Sequence, residues 1–351
     1  MNEIVICGNE QQRSEIRCRL KPCDANLHFM NFCEEEMLSE EILSKGAIWI
    51  AADDLQERML LEAGVCEGEI INYKRFEKTT YENPIAAFAC DDDEYTGLIF
   101  GMSHSQCAID ESLFTNETYC KVAAPSLDLF LQRRFMEKLS IEHPAALKKI
   151  RHIIIELPYY IFNYDLSRFG SFVYTKLKYF EIVGDYHHFG KTEEQQLRIS
   201  EFNHFLNLFY SEKCNSDRMK KKNFALRILK SLHRKYRIAT NSDKVWHSVY
   251  EETVEENIEH WNCLKELISA YCPSAKITVL IMPFNPIFRL FHRRQIKFMR
   301  QRFLSALGKG NFQICDHFAL FKRDRYFDDH CHLNERGAHR YTTFLKKILG
   351  S

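Results

Sequence analysis

The first 80 residues alternate short apolar segments with amphipathic ones, and this alternation restricts the chain to few folds. The apolar segments are EIVICG, NLHFMNF, AIWIAA and EIINYKRF, and the stretches between them are NEQQRSEIRCRLK, EEEMLSEEILSKG and DDLQERMLLEAGV. Such a pattern is typical of βαβ units, in which a helix crosses between two parallel strands. Asp53 stands at the N-cap position expected for the third helix, and Gly64 at its C′ position. The sequence therefore predicts a small α/β domain with a parallel sheet over residues 1–90.

The first turn of this domain lacks the pattern that holds a nucleotide phosphate. It reads CGNEQQ, with Gly8 as its only glycine. A GxGxxG turn needs further glycines, because the backbone must approach the pyrophosphate closely. The resemblance to small Rossmann-like modules is therefore one of architecture, and we predict no cofactor. Nucleotide-dependent chemistry within residues 1–80 stays open as an alternative.

A second and larger series of strands follows the polar connector TTYENPIAAFACDDDEY. Its strand-like segments are TGLIFGMS, TYCKVAA, HIIIELPYY, KITVLIMPF and NFQICDH. Helical segments such as SLDLFLQRRFMEKL lie between them, which predicts a parallel sheet covered on both faces. A chain of 351 residues exceeds the usual size of one core,. We therefore predict a second domain over 91–351, with a charged helical insertion at about 184–252.

The composition excludes several classes of protein. Lys plus Arg and Asp plus Glu balance at 48 each, so no overall field attracts nucleic acid,. The most apolar stretch, KITVLIMPFNPIFRLF, is interrupted by Lys276, two prolines and Arg289, so no membrane span is predicted,. The 13 cysteines are odd in number and form no CxxC pair, which argues against a disulfide framework and a zinc ribbon,. The segment MNEIVICGNE does not match a secretory signal, and a cytoplasmic location is expected.

One strand of the second series leads directly into a candidate nucleophile. The segment TGLIF is followed by GMSHS, in which Ser103 stands two residues past Gly101. Ligands bind outside the carboxyl ends of the strands in α/β sheets, so a serine in this turn would have an accessible hydroxyl. The simpler alternative is that Ser103 or Ser105 only caps the next helix.

A candidate base and its orienting acid stand near the other end of the chain, in DDHCHLNERGA. Asp329 and His332 are three positions apart, so one turn brings both side chains to one side,. A carboxylate there would fix the tautomer of the imidazole and stabilise its protonated form. Leu333, Asn334 and Gly337 then lead into an amphipathic terminal helix, AHRYTTFLKKIL.

These two segments resemble the first and last conserved blocks of the SGNH/GDSL hydrolase superfamily, over about residues 96–350. The last block of that superfamily reads DxxH, and its nucleophile comes early, as here. The segments AAPSLDLF, IIIELPYYIFNYD and FDDHCHLNERGA are similar to the bacterial branch associated with surface polysaccharides. The resemblance implies a three-layer α/β/α domain and an acyl-ester mechanism, with Ser103 as nucleophile, His332 as base and then acid, and Asp329 orienting His332.

The resemblance also implies an oxyanion hole, and here the sequence departs from the family pattern. The donors would be the backbone N–H groups of Ser103 and Ala123 and an asparagine side chain. Ala123 replaces the usual glycine of the second block, and ELPYY replaces the GxND expected after the third strand. Asn163 is the candidate substitute for the missing asparagine.

Other readings of DDHCH compete with the catalytic one. Asp, His and Cys all ligate zinc, but adjacent residues such as His330 and Cys331 do not easily converge on one ion, so no metal is predicted. A Cys331 nucleophile is disfavoured because neighbouring side chains generally point apart. The basic runs RMKKKNFALRILKSLHRKYR and HRRQIKFMRQRF are interpreted as amphipathic helices with solvated faces. The alternative for the first run is that its lysines and arginines attract a phosphorylated or acidic substrate.

The sequence thus predicts a serine-dependent carbohydrate esterase or O-acyltransferase that acts on a small-molecule or glycan ester. No nucleic-acid partner and no membrane span are predicted. The alternative is a binding or scaffold protein of polysaccharide assembly that kept the fold and lost efficient chemistry, as the altered second and third blocks suggest.

Overall fold

A computed structural model describes residues 3–21, 26–30, 47–74, 83–90, 95–168, 173–209 and 251–350. The described residues from 1–82 and 170–219 form one compact unit, and those from 83–169 and 220–351 form another. The segments EEEMLSEEILSKG and RMKKKNFALRILKSLHRKYR, both predicted to be helical, lie outside the described residues. The domain limits expected from the sequence stay predictions.

The described residues form nine strands and twelve α-helices, numbered here along the chain. The strands are β1 Glu3–Cys7, β2 Asn26–Met30, β3 Ile48–Ala51, β4 Ile70–Asn72, β5 Gly97–Phe100, β6 Tyr119–Lys121, β7 His152–Glu156, β8 Lys276–Ile281 and β9 Gln313–Asp316. The helices are α1 Glu10–Arg19, α2 Asp54–Glu62, α3 Ala86–Cys90, α4 Ser103–Ala108, α5 Leu129–Glu142, α6 Pro144–Leu147, α7 Val173–Val183, α8 Glu193–Leu208, α9 Val254–Tyr271, α10 Pro286–Phe291, α11 Arg293–Leu307 and α12 Glu335–Leu349.

The first unit contains a four-stranded parallel sheet in the order β2-β1-β3-β4. The helix signals read from the sequence are confirmed. Asp53 caps α2 by accepting hydrogen bonds from the N–H groups of Leu55 and Gln56. Gly64 follows this helix with φ +91°, a left-handed conformation that glycine adopts at little cost,.

The second unit contains a five-stranded parallel sheet in the order β6-β5-β7-β8-β9. All five residues of β7 are buried, as expected of a strand covered on both faces,. The two parallel sheets confirm the predicted α/β fold class. No helix in the described part of the chain has the length and hydropathy needed to cross a bilayer.

The order of strands in this sheet reverses direction between β5 and β7. The chain leaves β5 for β6 on one side, then crosses to β7 on the other side of β5. Such a change of direction is where parallel α/β sheets bind ligands, outside the carboxyl ends of the strands. Phe100 pairs with Ile155, so the turn that begins at Gly101 starts opposite Glu156, the last residue of β7.

The C-terminal helix α12 packs onto this sheet through a shared apolar core. Tyr341 and Leu345 of α12 are fully buried in one cluster with Ile99 of β5, Ile154 of β7 and Leu280 of β8. The loop that precedes α12 is thereby held next to the carboxyl ends of these strands.

Candidate functional site

The turn after β5 presents the Ser103 hydroxyl at the start of α4. The N-cap of α4 is Met102, which makes no side-chain capping bond. The hydroxyl of Ser105 donates instead to the carbonyl of Met102, at 3.1 Å. The alternative that Ser103 or Ser105 caps this helix is therefore wrong. The Oγ of Ser103 lies 2.7 Å from Nε2 of His332, and Ser103 is half-buried.

The loop before α12 brings Asp329 and His332 together, as their spacing predicted. Nδ1 of His332 lies 2.7 Å from Oδ2 of Asp329. The other carboxylate oxygen, Oδ1, accepts the backbone N–H groups of His332 at 2.7 Å and of Cys331 at 2.9 Å. A carboxylate with this many donors keeps a fixed position and holds the imidazole in one tautomer. Ser103, His332 and Asp329 thus form a continuous hydrogen-bonded chain.

Hydrogen bonds from outside the loop fix its backbone. The N–H of Asn285 donates to the carbonyl of His330 at 2.9 Å, and the Asn285 amide donates to that of Asp329 at 3.2 Å. On the far side, Asn334 caps α12 by accepting the N–H of Gly337. Gly337 has no room for a side chain, because a Cβ there would overlap the carbonyl oxygen of Tyr326.

The electrostatics of this chain favour an ionised acid beside a basic imidazole. Burial alone would raise the pKa of Asp329, but the hydrogen bond and charge of His332 and the two backbone N–H groups hold that pKa well below its usual range,. Burial alone would lower the pKa of His332, but the hydrogen bond and charge of Asp329, with smaller contributions from Glu156 and Asp328, raise it above 6.5. The contact with Asp329 therefore makes His332 more basic than an isolated histidine.

Glu156 is a part of the site that the sequence analysis missed. It ends β7, is fully buried, and its Oε2 accepts the N–H of Met102 at 2.6 Å. The same oxygen accepts the Ser105 hydroxyl at 3.3 Å, while Oε1 lies 3.0 Å from Nδ1 of His104. A buried carboxylate is costly unless it is hydrogen-bonded, and these donors satisfy it. The available signal was a single acid directly after three consecutive isoleucines.

Gly101 allows this close approach. A Cβ at this position would lie 2.7 Å from Cβ of Glu156 and would also overlap the Ser105 hydroxyl. The glycine is therefore required by packing against β7. Its backbone then continues to Met102, whose N–H reaches the Glu156 carboxylate.

The two predicted oxyanion residues, Ala123 and Asn163, are both buried. Ala123 follows β6, and Asn163 follows β7. The N–H groups of Val122 and Ala124 donate to the carbonyls of Ile99 and Gly101, whereas none of the backbone hydrogen bonds among the described residues uses the N–H of Ala123. Asn163 is 2% exposed, and its Nδ2 has no hydrogen-bond partner within the described part of the chain. No hydrogen bond among these residues joins Ala123 or Asn163 to Ser103.

The position of the Cys331 side chain differs from the one expected from the sequence. Its Sγ lies 3.5 Å from Nδ1 of His332 and 3.4 Å from Nε2 of His330, so these neighbouring side chains do not point apart. Burial nevertheless raises the pKa of the thiol well above its usual value, which disfavours the nucleophilic thiolate,. Donor atoms of His104, Cys331 and His332 lie within 4.8 Å of one another, and the absence of a metal stays a prediction.

Comparisons with known proteins assign this chain to no family. No family model matches the chain, and no curated protein matches it in sequence. One similar solved structure, from Streptococcus pneumonia and described as a "putative platelet activating factor", is 13% identical, with 84% of this chain and 97% of that chain covered at a TM-score of 0.37. Another, a lipase from a goat rumen metagenome, is 12% identical, with 72% and 95% covered at a TM-score of 0.34. At such TM-scores neither likeness carries an argument.

Proposed function

We propose that this protein is a serine-dependent esterase or O-acyltransferase. The observation that carries the proposal is the 2.7 Å contact between Ser103 Oγ and His332 Nε2, continued by the 2.7 Å contact between His332 Nδ1 and Asp329 Oδ2. A hydroxyl, a base within hydrogen-bond reach and an acid that orients the base are the parts that nucleophilic acyl transfer requires.

In the first half-reaction, Ser103 Oγ attacks the carbonyl carbon of the ester while its proton passes to His332 Nε2. The resulting tetrahedral intermediate collapses, the bond to the leaving oxygen breaks, and His332 returns the proton to the departing alcohol. The product is an acyl group on Ser103. Asp329 stays ionised throughout and stabilises the protonated imidazole.

In the second half-reaction, the acceptor attacks the acyl group on Ser103. His332 takes the proton of the acceptor and then gives it to Ser103 Oγ as the acyl-serine bond breaks. Water as acceptor makes the protein a hydrolase, and a sugar hydroxyl makes it a transferase. The resemblance to the branch associated with surface polysaccharides supports a glycan ester as substrate.

The oxyanion of both intermediates needs hydrogen-bond donors. We assign this role to the backbone N–H groups of Ser103 and Ala123 and to the amide of Asn163. The Ala123 N–H is used by none of the backbone hydrogen bonds of the described residues, and Asn163 carries a buried Nδ2 without a partner among them. Each such donor contributes on the order of 10²–10³ in turnover.

The direct test is hydrolysis of an activated acyl ester, p-nitrophenyl acetate, by the full chain and by Ser103→Ala. We expect the substitution to lower kcat by about 10³-fold or more, since the nucleophile is lost. Ser269→Ala is the matched control, because the Ser269 hydroxyl is exposed and, among the described residues, bonds only to the carbonyl of Lys265. A rate that does not change in Ser103→Ala would contradict the proposal.

The same assay addresses the second candidate, a binding protein without efficient chemistry. The observation that favours it is Glu156, which fills the end of β7 where the family pattern expects GxND. Negligible and equal activity in the unmodified protein and in Ser103→Ala would support this reading.

A further inference from the structure

A basic pocket of about 520 Å³ lies in the second unit, lined by six residues between Leu320 and Tyr326 and by two residues of α12. Four of its eight lining residues are cationic: Lys322, Arg323, Arg325 and Arg340. The other four are apolar or aromatic: Leu320, Phe321, Tyr326 and Phe344. No carboxylate lines the pocket, although the net charge of the whole chain is zero.

Three arginines of this region surround the ring of Tyr326. The guanidinium carbons of Arg325, Arg340 and Arg336 lie 5.0, 5.4 and 6.0 Å from its centroid. Arg325 donates to the phenol oxygen at 3.0 Å, and Arg340 donates to it at 3.1 Å. Cation–π contacts and shared hydrogen bonds therefore hold several like charges close together.

No carboxylate in the described part of the chain is paired with these positive charges. None of the five cations, which are the four that line the pocket and Arg336, forms an ion pair with another described residue. The hydrogen bond from Arg325, followed by the charges of Arg325, Arg340 and Arg336, lowers the pKa of the Tyr326 phenol, as a positive local potential requires,. Like charges held around one ring repel one another, and a bound anion would relieve that repulsion.

We infer that this pocket binds a ligand through a phosphate group. Guanidinium groups recognise phosphate oxygens by paired N–H donors, and lysine adds a compact charge. Phe321 and Tyr326 are 6% and 5% exposed and belong to the buried apolar cluster of this unit, so the aromatic part of the pocket lining is packed into the core. A volume of about 520 Å³ accommodates a phosphorylated sugar or a nucleoside diphosphate,.

The pocket is separate from Ser103 but is connected to the loop of His332. Asn334 stands two positions after His332, and its backbone N–H donates to the carbonyl of Tyr326 at 3.0 Å. Its side-chain amide donates to the carbonyl of Arg325 at 2.9 Å. None of the eight lining residues is in the Ser103–His332–Asp329 chain, so the inference does not depend on the proposed ester chemistry.

The test is isothermal titration of the full chain with inorganic phosphate, pyrophosphate and a nucleoside diphosphate at physiological ionic strength. We expect saturable binding of at least one. Binding of phosphate indicates a phosphate monoester as the natural ligand, and a clear preference for either diphosphate indicates a diphosphate. The variant Lys322→Gln/Arg323→Gln should weaken binding about tenfold or more, because it removes two exposed charges from the rim. Arg340→Gln, on α12, is a second variant that should also weaken binding, because Arg340 lines the same pocket.

The matched control is Arg294→Gln/Lys297→Gln on α11. Both residues are exposed and have no ion-pair partner among the described residues, so this variant makes the same change in net charge elsewhere. An equal loss of affinity in the control would overturn the inference, since binding would then follow net charge alone. Absence of saturable binding by all three probes, or binding of single-stranded RNA alone, would also overturn it.

Discussion

The carboxylate of Glu156 accepts the backbone N–H of Met102 at 2.6 Å, and Met102 directly precedes Ser103. The nucleophile turn is therefore attached to the end of β7 as well as to its own strand, β5. A second attachment restricts the motion of the serine relative to the sheet. Since misplacement of a reacting group by about 1 Å can cost on the order of 10²-fold in rate, this contact bears on catalysis.

We predict that Glu156→Gln and Glu156→Ala separate the positioning role from the electrostatic one. Glutamine keeps an acceptor for the Met102 N–H, so kcat should fall by about tenfold or less, whereas alanine should cost on the order of 10²-fold. The charge of Glu156 contributes to the raised pKa of His332, so the acid limb of the rate should move to lower pH in Glu156→Gln. The measurement is kcat/KM of ester hydrolysis against pH. An unmoved limb would indicate a structural role alone.

The pH dependence of the unmodified protein follows from His332. Only the neutral imidazole accepts the Ser103 proton, and its pKa is raised above 6.5. The value of kcat/KM should therefore rise with pH through a pKa above 6.5. In Asp329→Asn the hydrogen bond to a charged partner is lost, so this limb moves to lower pH and the plateau falls on the order of 10⁴-fold.

Asp328→Asn is the control for this experiment. Asp328 is exposed and lies outside the hydrogen-bonded chain, but its charge also contributes to the raised pKa of His332. We expect a small shift of the limb to lower pH and a plateau near that of the unmodified protein. A plateau loss equal to that of Asp329→Asn would mean that general damage to the loop, rather than the role of Asp329, explains the effect.

The local features of this site could be predicted from the sequence. The period of apolar residues predicted both parallel sheets, because each strand is a short buried run followed by a helical pattern. The spacing of Asp329 and His332 predicted their contact, since three residues form one turn. Both features depend only on neighbours in the chain.

The non-local features could not be predicted in the same way. The burial of Glu156 becomes tolerable only through donors at His104, Met102 and Ser105, all more than 50 positions away. Likewise, the basic pocket arises because Arg325 and Arg340 meet across Tyr326. A sequence pattern shows each charged residue but not the partner that folding supplies.

We predict that Gly101→Ala damages both stability and activity. The added Cβ would lie 2.7 Å from Cβ of Glu156, the last residue of the fully buried strand β7. Overpacking of this kind costs about 1–3 kcal/mol, so the thermal midpoint and kcat should both fall. Gly68→Ala is the control, because its Cβ would meet only Leu197, at an ordinary 3.6 Å. Equal behaviour of the two variants would show that the close approach to Glu156 is tolerated.

The last prediction concerns Asn163, whose buried side-chain amide nitrogen has no hydrogen-bond partner among the described residues. The turn that carries it is fixed by Asn257, which donates to the carbonyls of Phe162 and Tyr164 on either side. A buried donor held in place without a partner among the described residues costs free energy, and stabilising an oxyanion would account for that cost,.

Asn163→Ala should therefore lower kcat for ester hydrolysis by about 10²-fold while KM changes little, because the lost hydrogen bond forms only in the transition state. Removing an unpartnered amide should leave the thermal midpoint nearly unchanged. Asn257→Ala is the contrasting variant, because it breaks two hydrogen bonds of the turn and should lower the midpoint as well. If Asn163→Ala retains full kcat, Asn163 is not an oxyanion donor, and the stabilisation must come from backbone N–H groups alone.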